Sequence, residues 1–143
     1  LSKAWGLAAL RLGIAFASEE IIQVMNKIKP PYNINQASQE LALKAMDEVD
    51  QVNDMIRILV DERQTLKEKL LQLSIVEEVY PSDANFLLVK MNDAGKVYDF
   101  LLEKSIVVRN RSNVKLCDNC LRITVGTEQE NTALVDALME WSS

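Results

Sequence analysis

Residues 36–73 contain neither proline nor glycine, and a single apolar stripe runs through them. Ala42, Met46, Val49, Val52, Ile56, Leu59, Leu66 and Leu70 recur along it, mostly at three- and four-residue steps, with Asp, Glu, Lys, Gln and Arg filling the intervals. This is the period of one face of an α-helix. Helical throughout, the segment would reach about 57 Å at about 1.5 Å per residue, as long as many small domains are wide. The rest of the chain must therefore be organised around it. One solution is a connecting helix that packs on its own protein, bent near its middle. The other is a dimerising coiled coil, but Arg63 interrupts the stripe and the pattern lasts only about four heptads.

The flanks divide cleanly. Pro30-Pro31 and the extended Tyr32-Asn33-Ile34-Asn35 predict a boundary between residues 1–33 and 34–143. Before it, residues 10–17 read as a buried strand, and Ser18-Glu19-Glu20 opens a helix to about Lys29. After the long helix come strand-like segments at 75–80, 85–91, 106–108 and 121–125. Asn92-Asp93 starts a helix whose inner face is Val97, Phe100 and Leu101. Thr127 and Glu130 have capping-box spacing ahead of a last helix running to about Trp141. Helices around one small sheet with antiparallel pairs make an α+β fold.

The chain of 143 residues has no histidine, which removes the commonest general base, the commonest metal ligand and every Ser-His or Cys-His nucleophile. Acid–base chemistry must use lysine, tyrosine, cysteine or a carboxylate. Cys117-Asp118-Asn119-Cys120 has the spacing of half a zinc site, yet no further cysteine or histidine completes it. The motif also precedes a strand rather than opening a helix, so loop cysteines are the expectation. A net charge of −5 and the lack of a basic patch argue against nucleic acid. No segment suits a membrane span or signal peptide, so a soluble, cytoplasmic setting is expected.

The remaining chemistry starts at Lys3. Ala4, Gly6, Ala8 and Ala9 leave room beside it for a flat group, Ser2 offers a hydroxyl, and Arg11 a planar fork suited to phosphate. The run Leu1-Ser2-Lys3-Ala4-Trp5-Gly6-Leu7-Ala8-Ala9, followed by Arg11-Leu12-Gly13, resembles the cofactor-lysine signature of class II, fold-type I pyridoxal-phosphate aminotransferases. Pro31-Tyr32-Asn33-Ile34-Asn35, Val108-Arg109-Asn110-Arg111-Ser112 and Cys120-Leu121-Arg122-Ile123-Thr124-Val125-Gly126-Thr127 are similar to segments of the histidinol-phosphate aminotransferases within that class. The resemblance covers essentially the whole chain, in order.

The resemblance implies that Lys3 is the catalytic, cofactor-linking lysine and proton shuttle, and that Ser2 and Arg11 bind the cofactor phosphate. It implies that Arg122 receives the anionic group of the substrate and that Arg109 is the second anion-binding arginine. Tyr32 and Asn85 fall in segments bordering the active site, and Arg111 is a solvated charge or a helper. The substrates implied are histidinol phosphate, glutamate and 2-oxoglutarate, and the intact enzyme is implied to be a homodimer. In that family the partners of the pyridine nitrogen, the phenolic oxygen and the ring face lie upstream of the lysine. The chain therefore reads as a C-terminal fragment: a strand and helix left from the large cofactor domain, then a connecting helix and the small domain. Such a fragment is expected to bind pyridoxal phosphate poorly and to be inactive. An aromatic aminotransferase, a related decarboxylase and a non-catalytic helical interaction module are the alternatives. Arg109 or Arg122 could equally be a strand-edge arginine paired with Glu128 or Asp118.

Overall fold

The computed structural model describes residues 1–142, in two compact units that divide between Ile56 and Arg57. In the first, a 3₁₀ turn at Ala8–Leu10 precedes helix α1 (Glu19–Ile28) and helix α2 (Gln36–Met46). The prolines end α1: Lys29, the residue before them, has an extended backbone. Asn35 then caps α2, its side chain accepting the Ser38 amide at 2.8 Å. Residues 11–17 are not a strand, and Phe16 is 93% exposed. A strand needs neighbours for its N–H and C=O groups, and no described segment pairs with this one. Tyr32 sits in a turn with a left-handed backbone (φ 58°), not in an extended linker.

The long stripe forms two helices rather than one. Helix α3 (Val49–Leu71) follows α2 after Asp47 and Glu48. There the amides of Asp47 and Glu48 reach back only three residues, to Lys44 and Ala45, so the last turn of α2 tightens and ends. The compact units divide inside α3, between Ile56 and Arg57. In the second unit Leu66 and Leu70 are fully buried. Arg63 keeps its place on the stripe by donating to the Ala84 carbonyl at 2.8 Å.

The second unit is built on a sheet of four strands, β1 (Val76–Val79), β2 (Phe86–Met91), β3 (Arg109–Asn110) and β4 (Cys120–Thr124), in the order β1-β2-β4-β3 with every pair antiparallel. Leu87, Val89, Met91, Leu121 and Ile123 alternate onto one face and share a core with α3, α4 (Ala94–Glu103) and α5 (Glu128–Ser142). The strand expected at 106–108 is displaced to Arg109–Asn110. The reason lies at the end of α4. Ser105 is left-handed (φ 63°), its amide donates to Leu102 and that of Ile106 donates to Leu101. This Schellman arrangement uses the Ile106 amide to close the helix instead of starting a strand.

The other expected elements form. Asp93 caps α4, accepting the Lys96 amide at 3.2 Å. At the start of α5, Glu130 accepts the Thr127 amide at 2.8 Å while the Thr127 hydroxyl accepts the Glu130 amide at 3.3 Å. The Thr127 amide and, at 2.9 Å, the Thr127 hydroxyl both donate to the Glu130 carboxylate and hold it below the usual carboxylate range. A Cβ added at Gly126 would lie 2.9 Å from Glu130 Cβ, which cannot swing away as a side-chain end could, so the turn from β4 into this cap requires glycine.

Candidate functional site

Strand register decides the geometry of the second unit. The core face of the sheet takes Leu121 and Ile123 from β4, which leaves Arg122 on the opposite face. There Arg122 lies directly across from Arg109 on β3 and from Leu88 on β2. Directly opposed antiparallel residues have Cα atoms about 4.5–5.5 Å apart. Like charges so placed repel, and proteins usually separate them or insert a carboxylate. No carboxylate is inserted: neither arginine has an ion pair among the described residues, with Asp118, Glu128 or any other acid.

The Arg122 guanidinium instead sits over the Phe86 ring, 5.1 Å from its centre. Its Nε is sealed from solvent without a hydrogen-bond partner, and its terminal nitrogens make no hydrogen bond within the described residues. A half-buried, unpaired fork facing a second, exposed guanidinium is a chemical match for a carboxylate or phosphate. Asn85 adjoins this face, its carbonyl accepting the Val125 amide at 3.0 Å just before Phe86. Arg111 pairs its amide with the Cys120 carbonyl at 2.8 Å, extending the ladder into the loop.

The other end of the same face is already neutralised. Lys90 forms an ion pair with Glu77 at 3.0 Å, and that bond holds its ammonium above the usual lysine range. Tyr80 is pushed up by burial and then by Glu78. Cys120, which opens β4, is buried, and burial pushes its thiol up, away from the nucleophilic thiolate. Cys117 lies in the turn before it, its carbonyl accepting the Cys120 amide at 3.0 Å. No group of three or more Cys, Asp or Glu side chains able to hold a metal occurs among the described residues.

In the first unit, Ser2 and Lys3 are exposed at the start of a tight turn, where the Gly6 amide donates to the Lys3 carbonyl at 2.9 Å. Gly6 has φ +64° and open space where a Cβ would point. Arg11 is also left-handed (φ 52°) and exposed, its guanidinium reaching the Ala8 carbonyl at 3.4 Å. Tyr32 is 98% exposed. The structure thus groups Ser2, Lys3, Arg11 and Tyr32 in one unit and Asn85, Arg109 and Arg122 in the other.

Comparison with known proteins places these residues in a family. The profile of the aminotransferase class I and II family matches residues 1–138. This chain belongs to the class I and II aminotransferases. A histidinol-phosphate aminotransferase of Cytophaga hutchinsonii is 54% identical over 137 residues, 96% of this chain and 39% of that protein. Among solved structures, an aminotransferase of Burkholderia pseudomallei superposes with a TM-score of 0.91 at 30% identity, covering 99% of this chain and 43% of its own. A decarboxylase of Sulfurospirillum multivorans superposes with a TM-score of 0.82 at 30% identity, covering 96% and 41%. The chain thus spans about two fifths of the length of the curated relatives it matches.

Membership of the aminotransferases makes pyridoxal phosphate the implied cofactor. The first unit carries the residue types such a group calls for, the Lys3 amine, the Ser2 hydroxyl and the Arg11 guanidinium, all three exposed. Phe86 is not legible in the sequence as a neighbour of Arg122, because a diagonal partner across two strands is defined only by their register. The alternation of Phe86, Leu88 and Lys90 against Leu87, Val89 and Met91 was the available signal.

Proposed function

We propose that this chain is the C-terminal part of a pyridoxal-phosphate-dependent aminotransferase. It acts between L-histidinol phosphate and 2-oxoglutarate, with glutamate as the other amino acid, in histidine biosynthesis. The observation that carries the reading is the Arg109–Arg122 pair, opposed across β3 and β4 with no carboxylate between them. Glutamate and 2-oxoglutarate bring carboxylates, whereas histidinol phosphate brings a phosphate and none. A guanidinium fork pairs bidentately with either, so one pair of arginines serves both half-reactions. The identity of 54% to a protein named for histidinol phosphate supports this substrate over others.

When bound, pyridoxal phosphate supplies the electron sink for charge developing at the substrate Cα. The chain supplies the rest of its share. Ser2 and Arg11 hold the cofactor phosphate, and Lys3 anchors the cofactor through its amine. The Lys3 amine would move a proton at the substrate Cα, a task that a chain without histidine must give to another base. A cofactor site excludes water, and in this chain Lys3, Ser2 and Arg11 are all exposed. The 143-residue chain is therefore expected to bind the cofactor weakly and to be inactive by itself. The intact enzyme is proposed to be a cytoplasmic homodimer, on the strength of the family resemblance.

The test is an assay of an intact enzyme that carries this sequence. Histidinol phosphate is expected to outperform phenylalanine as amino donor, and Arg122→Ala is expected to lower kcat/KM for it by about 10- to 100-fold, the worth of a charge-assisted pair. Equal rates with phenylalanine would contradict the substrate assignment. A decarboxylase is the second reading, favoured by the Sulfurospirillum structure, and release of carbon dioxide from an amino acid substrate would establish it.

A further inference from the structure

Arg122 has an aromatic neighbour in Phe86. Phe86 opens β2 opposite Thr124, two residues along β4 from Arg122. Diagonal neighbours of this kind are within reach of an aromatic ring and a long side chain. The 5.1 Å separation between guanidinium and ring centre shows that they use it. The ring occupies one face of a guanidinium that has no carboxylate to orient it, and Arg122 Nε is sealed without an acceptor.

Hydrogen bonds fix the backbone at and just before Phe86. The Ser82 hydroxyl donates to the Phe86 carbonyl at 2.6 Å and accepts the Ala84 amide at 3.1 Å, which ties the 82–86 turn into a staple. Arg63, the charged residue on the apolar stripe of α3, clamps that turn through the Ala84 carbonyl at 2.8 Å. The Asn85 carbonyl, one residue before Phe86, accepts the Val125 amide at 3.0 Å and fixes β2 against the end of β4. The ring is thus presented by a stapled turn, and the arginine lies on it.

We infer that Phe86 is a positioning residue for anion binding: its ring, carried on backbone that the Ser82 staple fixes, keeps the Arg122 fork flat and turned toward the anion shared with Arg109. The inference rests on the reading of Arg122 and Arg109 as an anion-binding pair. A flat, packed guanidinium loses less rotamer freedom when an anion arrives, so the ring acts through the arginine and touches no reacting atom.

The test uses the full 143-residue chain and inorganic phosphate as the probe. Phe86→Leu removes the π face and is expected to weaken phosphate binding by about two- to fivefold, while Phe86→Tyr restores it. Arg122→Ala is expected to weaken it by more than about tenfold. Unchanged affinity in Phe86→Leu, with Arg122→Ala defective, would overturn the inference and leave the anion-binding pair standing. Unchanged affinity in Arg122→Ala would instead remove the pair on which it rests, and the inference with it. Should Phe86→Leu fail to fold, nitrogen-detected NMR of the unsubstituted chain decides. An Arg122 Nε–H signal shifted upfield by the ring, and moved by phosphate, supports the inference; one at the position of the exposed Arg109 signal overturns it.

Discussion

Arg122 illustrates how one side chain acquires a role from its register. Alternation along Cys120–Thr124 turns it away from the core, and pairing to β3 sets it against Arg109. Its placement in a family segment was legible in the sequence, as was that of Arg109. That the two oppose one another without a carboxylate was not, because opposition is a property of strand pairing and β3 begins later than the apolar run 106–108 suggests. Arg63 looked like a flaw in a helical stripe until its acceptor, the Ala84 carbonyl twenty-one residues away, was in place. A lysine is not a substitute for the fork: Arg122→Lys keeps the charge but loses bidentate geometry and stacking. Phosphate titration of Arg122→Lys is expected to give an affinity closer to Arg122→Ala than to the unsubstituted chain.

At the scale of elements, helix ends explain most of what sequence patterning found and missed. The Thr127–Glu130 cap was legible because its residue types stand at fixed spacing. The end of α4 was not, because Ser105 occupies a left-handed position that glycine usually takes. Ser105→Gly is therefore expected to stabilise the second unit by up to about 1 kcal/mol, read as a rise in thermal midpoint. Glu130 gives a pH dependence of defined sign. Its folded-state carboxyl titrates below its ordinary value, so it contributes stability above that value. The contribution fades as pH falls through the lowered folded value. Thermal midpoints measured from neutral to acid pH should show a smaller acid-side loss in Glu130→Gln than in the unsubstituted chain. The long stripe is also an element-scale matter. It breaks at Asp47 and Glu48, and its C-terminal part is spent on the chain's own core, which leaves a coiled coil little to use. Ile56→Asp with Leu59→Asp should not convert a stable dimer to monomer by mass measurement, because no dimer held by this stripe is expected.

Over the whole molecule, the two units differ in what holds them. The second has a continuous core of Leu66, Leu70, Leu87, Leu101, Leu121 and Leu138, each at most 1% exposed. In the first, α1 buries no residue, and Ile21, Val24, Met25 and Ile28 are exposed. Amide exchange should therefore be slow in β2, β4 and α5 and fast throughout residues 11–28, since protection follows buried apolar contact. Leu138→Ala should destabilise the second unit by about 2–5 kcal/mol in denaturant titration. The α+β class was legible because each element of this unit carries its own period or cap. The proposed strand at 10–17 was not realised, because a strand is defined by a neighbour and sequence alone does not supply one. Arg109 and Arg122 are proposed to form together the anion site of an aminotransferase. The most direct test of this proposal is a double-mutant cycle on phosphate binding with Arg109→Ala, Arg122→Ala and the double variant. Each single variant is predicted to lose most of the affinity and the double variant little more, as expected of two forks on one anion. Affinity unchanged in both single variants, or losses that simply add, would contradict it.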